Sequence, residues 1–280
     1  MAESNILEAR AAELYSRSEY APASGKFLTP AEQAEFCRSV RSLGADAWDR
    51  FFLWGGCRGA ERRVPLFLPE YICAMAPPPR NFGSDLFDGE REEYFLRLTE
   101  GWDLSELSGI VPLRAAGGGF VPLGHRDYLG GLLSLGLERD VVGDIIPGGA
   151  SDAVIFAAET IADFITENFT HAGRDKVTAV RTELPDGFTV TREFEELVLI
   201  SASMRLDGIV RAFASVSREE AQTLITSGLT AVNYRTETRI DFRVAEGSVI
   251  SVRGYGKMRL TGCVGETRSG RMRITAEKYI

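Results

Sequence analysis

Ten polar residues in the last third of the chain have the types and spacing to hold phosphate: Arg205, Arg211, Ser217, Arg218, Gln222, Asn233, Arg235, Arg253, Lys257 and Arg259. A guanidinium donates two parallel hydrogen bonds to an anionic oxygen pair and stays charged at any physiological pH. Ser217 opens a helical pattern whose first N–H groups add a partial positive charge. Gly254 and Gly256, on either side of Tyr255, let a second backbone come close between Arg253 and Lys257. Contacts of this kind with a nucleic-acid backbone give affinity and position, with little reading of base sequence. Charge and spacing also admit a plainer reading, a solvated basic face.

These residues need a scaffold, and the apolar pattern supplies one. Leu206, Ile209, Val210 and Phe213 recur at the spacing of one helical face. Ser217 and Glu220 form a capping-box pattern at the start of a second helix, with Ala221, Leu224 and Ile225 as its buried side and Gly228 as its stop. Short strands are predicted over 229–234, 248–253, 257–264 and 271–275. Two helices followed by a small sheet make an α+β module over 198–280.

Upstream, residues 64–190 alternate as strand 110–113, helix 125–135, strands 141–146 and 152–156, helix 157–169 and strand 176–183. The order β-α-β-β-α-β predicts a ferredoxin-like, RRM-like middle domain. Ile161, Phe164 and Ile165 are expected on the buried face of its second helix. Its third strand offers a single aromatic, Phe156, so a stacking sheet of the RNA-recognition type is not expected. Residues 1–63 read as a mainly helical N-terminal region. There Thr29, Pro30 and Gly44 punctuate one helix. Pro77-Pro78-Pro79 with Asn81, Gly83 and Ser84 reads as a linker or exposed loop.

The charge is divided unevenly. The 280 residues carry a formal net charge of −8, yet residues 201–280 hold 13 Lys+Arg against 8 Asp+Glu. A basic module attached to acidic domains fits that asymmetry. Cys37, Cys57, Cys73 and Cys263 are scattered and read as reduced thiols, and two histidines are too few for a histidine-rich metal site. No apolar run reaches the ~18–20 residues of a membrane span. Met1-Ala2-Glu3-Ser4-Asn5 lacks the features of a secretory signal, so a cytoplasmic protein is expected.

Other chemistries are poorly supported. His125-Arg126-Asp127 imitates a kinase catalytic loop, but Leu132 stands where the metal-binding asparagine belongs. A structural role at a helix start is expected instead. Arg205-Leu206-Asp207 resembles the aspartate motif of pseudouridine synthases, but here the aspartate opens a helix of the binding module itself. Gly117-Gly118-Gly119 lacks the strand, helix and acidic partner of a dinucleotide site. The expectation is a binding factor with no catalytic residues, metal or cofactor. The alternative is an RNA-modifying enzyme, pseudouridine synthase-like or a methyltransferase, with its active site in the first 200 residues.

Met204 to Asp207, Ser217 to Gly228, Val232-Asn233 and Gly247 to Arg253 together resemble the RNA-binding domain of ribosomal protein S-four. Gly55-Gly56, Ala60 to Arg63, His125 to Gly130, Leu135-Gly136, Gly143 to Ile145 and Arg253 to Lys257 are similar to the YlmH family. The likeness runs from about Phe51 to the C-terminus, and Leu104 to Gly119 looks expanded relative to it. The resemblance implies binding to large-subunit ribosomal RNA, with Arg205, Ser217, Arg218, Gln222, Asn233, Lys257 and Arg259 as contacts. Members called RqcP stabilise peptidyl-tRNA on stalled large subunits beside an alanine-adding partner of the RqcH type. The partners so implied are ribosomal RNA, tRNA and that tailing factor.

Overall fold

The structure is a computed structural model, and it describes residues 2–76, 90–119, 122–149, 151–185, 187–190, 194–268 and 270–279. The expected proline-rich linker at 77–84 lies outside these residues. The chain divides into two compact units, Met1–Val190 and Thr191–Ile280.

In the first unit, α1 (Ala2–Arg17), α2 (Pro30–Ser42) and α3 (Ala45–Asp49) accompany a small sheet of β1 (Ala23–Ser24), β2 (Phe51–Trp54) and β3 (Val64–Phe67), in the order β1-β3-β2. Helix α2 starts where its cap dictates. Glu32 N–H donates to Thr29 Oγ1, Thr29 N–H donates to the Glu32 carboxylate, and Pro30 occupies a position that needs no donor. Trp54 pairs with Val64 across β2 and β3, so the expected division at 63/64 runs through a hairpin instead of between domains. Short helices α4 (Glu70–Cys73), α5 (Glu90–Leu98) and α6 (Leu104–Ser108) follow.

A five-stranded sheet then takes β4 (Ile110–Gly117), α7 (His125–Ser134), β5 (Val142–Gly148), β6 (Asp152–Ala158), α8 (Glu159–Asn168), β7 (His171–Ala172) and β8 (Asp175–Arg181). Its strand order is β5-β6-β4-β8-β7, with β4 antiparallel to both β6 and β8. The stretch 104–119, expected as an expansion, is therefore α6 and the central strand. On α8 the buried residues are Ala162 and Ile165, while Phe164 is 43% exposed. Two apolar stripes overlap on that helix, and the sheet beneath selects the one running through Ala162, Ile165 and Phe169.

The second unit contains β9 (Phe194–Ser201), α9 (Leu206–Ala214), α10 (Arg218–Thr226), β10 (Thr230–Val232), β11 (Arg235–Thr236), β12 (Val249–Val252), β13 (Gly256–Glu266) and β14 (Met272–Tyr279). The six strands lie in the order β11-β10-β12-β13-β14-β9. Leu206, Ile209 and Val210 of α9 with Ala221 and Ile225 of α10 join Ile250, Val252, Met258, Leu260, Ile274 and Ala276 in one buried core. Strand β9 starts before the expected boundary at 198, because Phe194 to Ser201 pair in full with Tyr279 to Met272.

Candidate nucleic-acid interface

Asp207 organises the best-formed polar site of the second unit. It lies in the first turn of α9 and is only 4% exposed. Arg205, the residue before that helix, donates from Nε to Oδ1 at 3.1 Å and from a terminal nitrogen to Oδ2 at 3.3 Å. Arg218, the first residue of α10, reaches Oδ2 at 3.5 Å. Burial pushes the Asp207 carboxyl up, but the hydrogen bonds and charge of Arg205, with Gly208 N–H and Arg218, outweigh it and hold the group below the usual carboxylate range. Ser201, Ser203, Arg205, Arg211, Arg218 and Arg271 line a groove of about 210 Å³ around it.

Arg205 and Arg218 thus pair with one buried carboxylate, while Arg211 of α9 and Arg271, just before β14, line the same groove. Arg271 was missed in the sequence reading because it lies far from the other three along the chain. The local run Arg268, Arg271, Arg273 was its only signal. Ser217 caps α10 by accepting Glu220 N–H at 3.1 Å. No return bond from the Glu220 side chain to Ser217 forms among the described residues, so half of the expected capping box is present. Gln222 sits one turn beyond Arg218, on the same side of the helix.

The other predicted contacts lie elsewhere in the module. Asn233 is in the two-residue turn between β10 and β11, where its Oδ1 accepts Val249 N–H at 2.9 Å. Arg235 follows on β11, and Arg253 is exposed in the turn between β12 and β13. Along β13, Met258 and Leu260 are buried against the helices, so strand alternation turns Lys257 and Arg259 to the opposite side of the sheet. Arg259 is there ion-paired with Glu277 at 2.6 Å. The ten residues occupy three places, because sequence proximity to the helices and to the glycine turn does not decide which sheet face a side chain takes.

In the first unit the quoted motifs hold the fold together. Asp144 accepts the N–H groups of Glu61 and Arg62 at 2.5 and 3.0 Å. The Arg62 guanidinium, 9% exposed, donates to the carbonyls of Phe27, Arg139 and Val142. Asp127 accepts Gly124 N–H at 2.9 Å and so closes the first turn of α7. Phe156 is wholly buried, and a Cβ on Gly56 would come within 2.3 Å of its ring. The one aromatic of the third middle-domain strand is thus beneath backbone and has no face to offer a base. Among the described residues no group of three or more His, Cys, Asp or Glu could hold a metal ion, and no helix is long and apolar enough to cross a membrane.

Over 252 residues the chain is 30% identical to the Bacillus subtilis (strain 168) protein named Ribosome-associated protein quality control protein P2, a match spanning 90% of this chain and 85% of that one. The chain belongs to the YlmH family. Residues 117–186 match the domain described as “Putative RNA-binding domain in YlmH”. That region runs from the end of β4 through β8 of the first unit's five-stranded sheet, where the sequence predicts no stacking surface of the RNA-recognition type. The solved cell division protein ylmH from Streptococcus pneumoniae is 18% identical at a TM-score of 0.42, over 65% of this chain and 92% of that one. The curated relative is named for ribosome-associated quality control, and the matching domain for RNA binding.

The groove makes a signed prediction. If Asp207 merely opposed an incoming phosphate, Asp207→Asn would tighten RNA binding. Because it orients Arg205 and Arg218, the neutral variant is expected to bind structured RNA several-fold more weakly, as read by fluorescence anisotropy. The depressed carboxyl also contributes stability that is present above its unfolded pKa of ~3.9 and is lost as pH falls through the lower folded value. Unfolding curves of Asp207→Asn should lack that part of the acid dependence.

Proposed function

We propose that this chain is a ribosome-associated RNA-binding factor without chemistry of its own. Its second unit is an S-four-like module that grips large-subunit ribosomal RNA and tRNA through the phosphate backbone. The observation that carries this reading is the groove lined by Arg205, Arg211, Arg218 and Arg271, in which Arg205 and Arg218, at the starts of α9 and α10, pair with buried Asp207. Arginines pre-oriented by a buried acid, beside helix N-termini, suit paired phosphate oxygens. Ser217, Gln222, Asn233, Arg235, Arg253, Lys257 and Arg259 extend the basic surface over the rest of the module. The relative named for ribosome-associated protein quality control supports a role at stalled large subunits, where the factor holds peptidyl-tRNA beside an RqcH-type alanine-tailing partner. The middle domain contributes by a route other than ring stacking on its sheet, since Phe156 is buried.

The test is sedimentation of tagged full-length protein from host lysate, followed by crosslinking and sequencing of bound RNA. Migration with free large subunits, and crosslinks from unit 2 to ribosomal RNA and tRNA, are expected. Migration at the top of the gradient, or a single RNA that leaves chemically modified, would replace this reading with that of an RNA-modifying enzyme.

A further inference from the structure

The face of the second sheet turned away from α9 and α10 carries rings and cations in close order. Lys257 Nζ lies 4.3 Å from the centre of the Tyr279 ring and 5.7 Å from that of Tyr234. Tyr279 meets Phe194 edge to face at 5.0 Å, and Arg259 Cζ stands 5.7 Å from the Phe194 ring. The register accounts for the row: Tyr279 opposes Phe194 on the neighbouring strand, while Arg259 opposes Glu277. Phe194, Tyr234, Lys257 and Tyr279 are all half-buried, so each keeps part of its surface at the sheet exterior.

A strained turn adds an independent observation. Val232 pairs with Arg235, which leaves Asn233 and Tyr234 as a two-residue hairpin loop with φ of +48° and +64°. Such loops require the left-handed region at both positions, where asparagine is tolerated and a bulky ring is disfavoured. Glycine at position 234 would close the hairpin with less strain. Asn233 clamps the turn twice, since its Oδ1 accepts Val249 N–H and its own N–H donates to Val249 O at 2.7 Å. The outcome of that clamp is an aromatic ring set against Lys257. Backbone strain of this kind persists where the surroundings impose it, commonly at ligand-binding positions.

We propose that Tyr234, Lys257, Tyr279, Phe194 and Arg259 form a stacking platform for unpaired nucleotides of single-stranded RNA, distinct from the arginine groove. A single strand repeats one flat base and one anionic phosphate per nucleotide, and rings set close to Lys257 and Arg259 offer both a flat face and a cation to that repeat. Paired regions offer no such match, because their bases are already stacked inside the helix. Exposed Arg235 and Arg253 flank the hairpin and favour the polyanion further. The proposal rests on the RNA-binding reading above and adds to it the recognition of unpaired bases. Asn233, predicted from sequence as an RNA contact, becomes the residue that positions Tyr234.

The experiment uses the full chain with two fluorescein-labelled probes, an oligouridylate of about twelve nucleotides and a stable RNA hairpin. Tyr234→Leu is expected to weaken oligouridylate binding about tenfold, to change hairpin binding less than about twofold, and to leave the melting temperature in place. Tyr234→Phe keeps the ring and should restore the affinity. Tyr279→Leu serves as a second variant, compared at a temperature where its circular dichroism is that of the parent. An oligouridylate affinity unmoved by either ring, or an equal loss for both probes, overturns the platform. So does a parent protein that binds the hairpin and ignores the oligouridylate. A parent that binds neither probe removes the RNA-binding reading itself.

Discussion

Arg218→Gln is expected to weaken binding of structured RNA about ten- to a hundredfold, the range lost with one charge-assisted hydrogen bond. The slope of log affinity against log salt should also shrink by about one, because one fewer condensed counterion is released. The neutral substitution is the informative one. A charge reversal at this exposed position would place a second carboxylate beside buried Asp207, and lost affinity could then reflect damage to the start of α9. Glutamine removes the charge while keeping an amide donor on a shorter, uncharged side chain, and Arg205 continues to pair with Asp207 at 3.1 Å. Only a small change in melting temperature is expected, since the Arg218 side chain is 71% exposed and exposed ion pairs contribute little. Anisotropy titrations at several salt concentrations read affinity and slope together. An unchanged slope with unchanged affinity would move the phosphate contacts away from the groove.

Phe156→Ala is expected to destabilise the first unit by about 3–5 kcal/mol, the usual cost of emptying a fully buried phenylalanine site. For a unit of this size that corresponds to a fall in melting temperature of roughly 6–20 °C. The ring lies beneath Gly56 and belongs to the apolar cluster that includes Phe52, Trp54 and Phe95, so the cavity forms in the interior. RNA affinity measured well below the new melting temperature should stay within about twofold of the parent. The opposite pattern, a loss of RNA binding at unchanged stability, would mean that the ring reaches a base after all.

Much of the local structure was legible in the residues alone. The β-α-β-β-α-β order in the middle of the chain, the two helices after Arg205, the caps at Thr29 and Ser217, and the asymmetry of charge all follow from short-range rules. Periodicity reports which face of an element is apolar. A cap reports where a helix begins. These signals need no knowledge of what the element packs against.

Other features depended on partners distant in sequence. Strand β9 carries little alternation of its own and exists because β14 pairs with it along its whole length. The boundary at 63/64 dissolved because β2 and β3 hydrogen-bond across it, and backbone pairing is blind to side-chain type. Phe164 rather than Ala162 looked like core, until the sheet selected between two overlapping stripes of α8.

The same division runs through the interface. Periodicity, caps and charge alone specify a basic α+β module in the last third of the chain, with arginines at two helix starts. Packing across distant parts of the chain places Arg271 with Arg205, Arg211 and Arg218 in one groove, gives Asn233 to a turn, and sets Lys257 and Arg259 on the far face among Phe194, Tyr234 and Tyr279. Residue type sets what a side chain can bind, whereas strand register and sheet face set which side chains can bind it together.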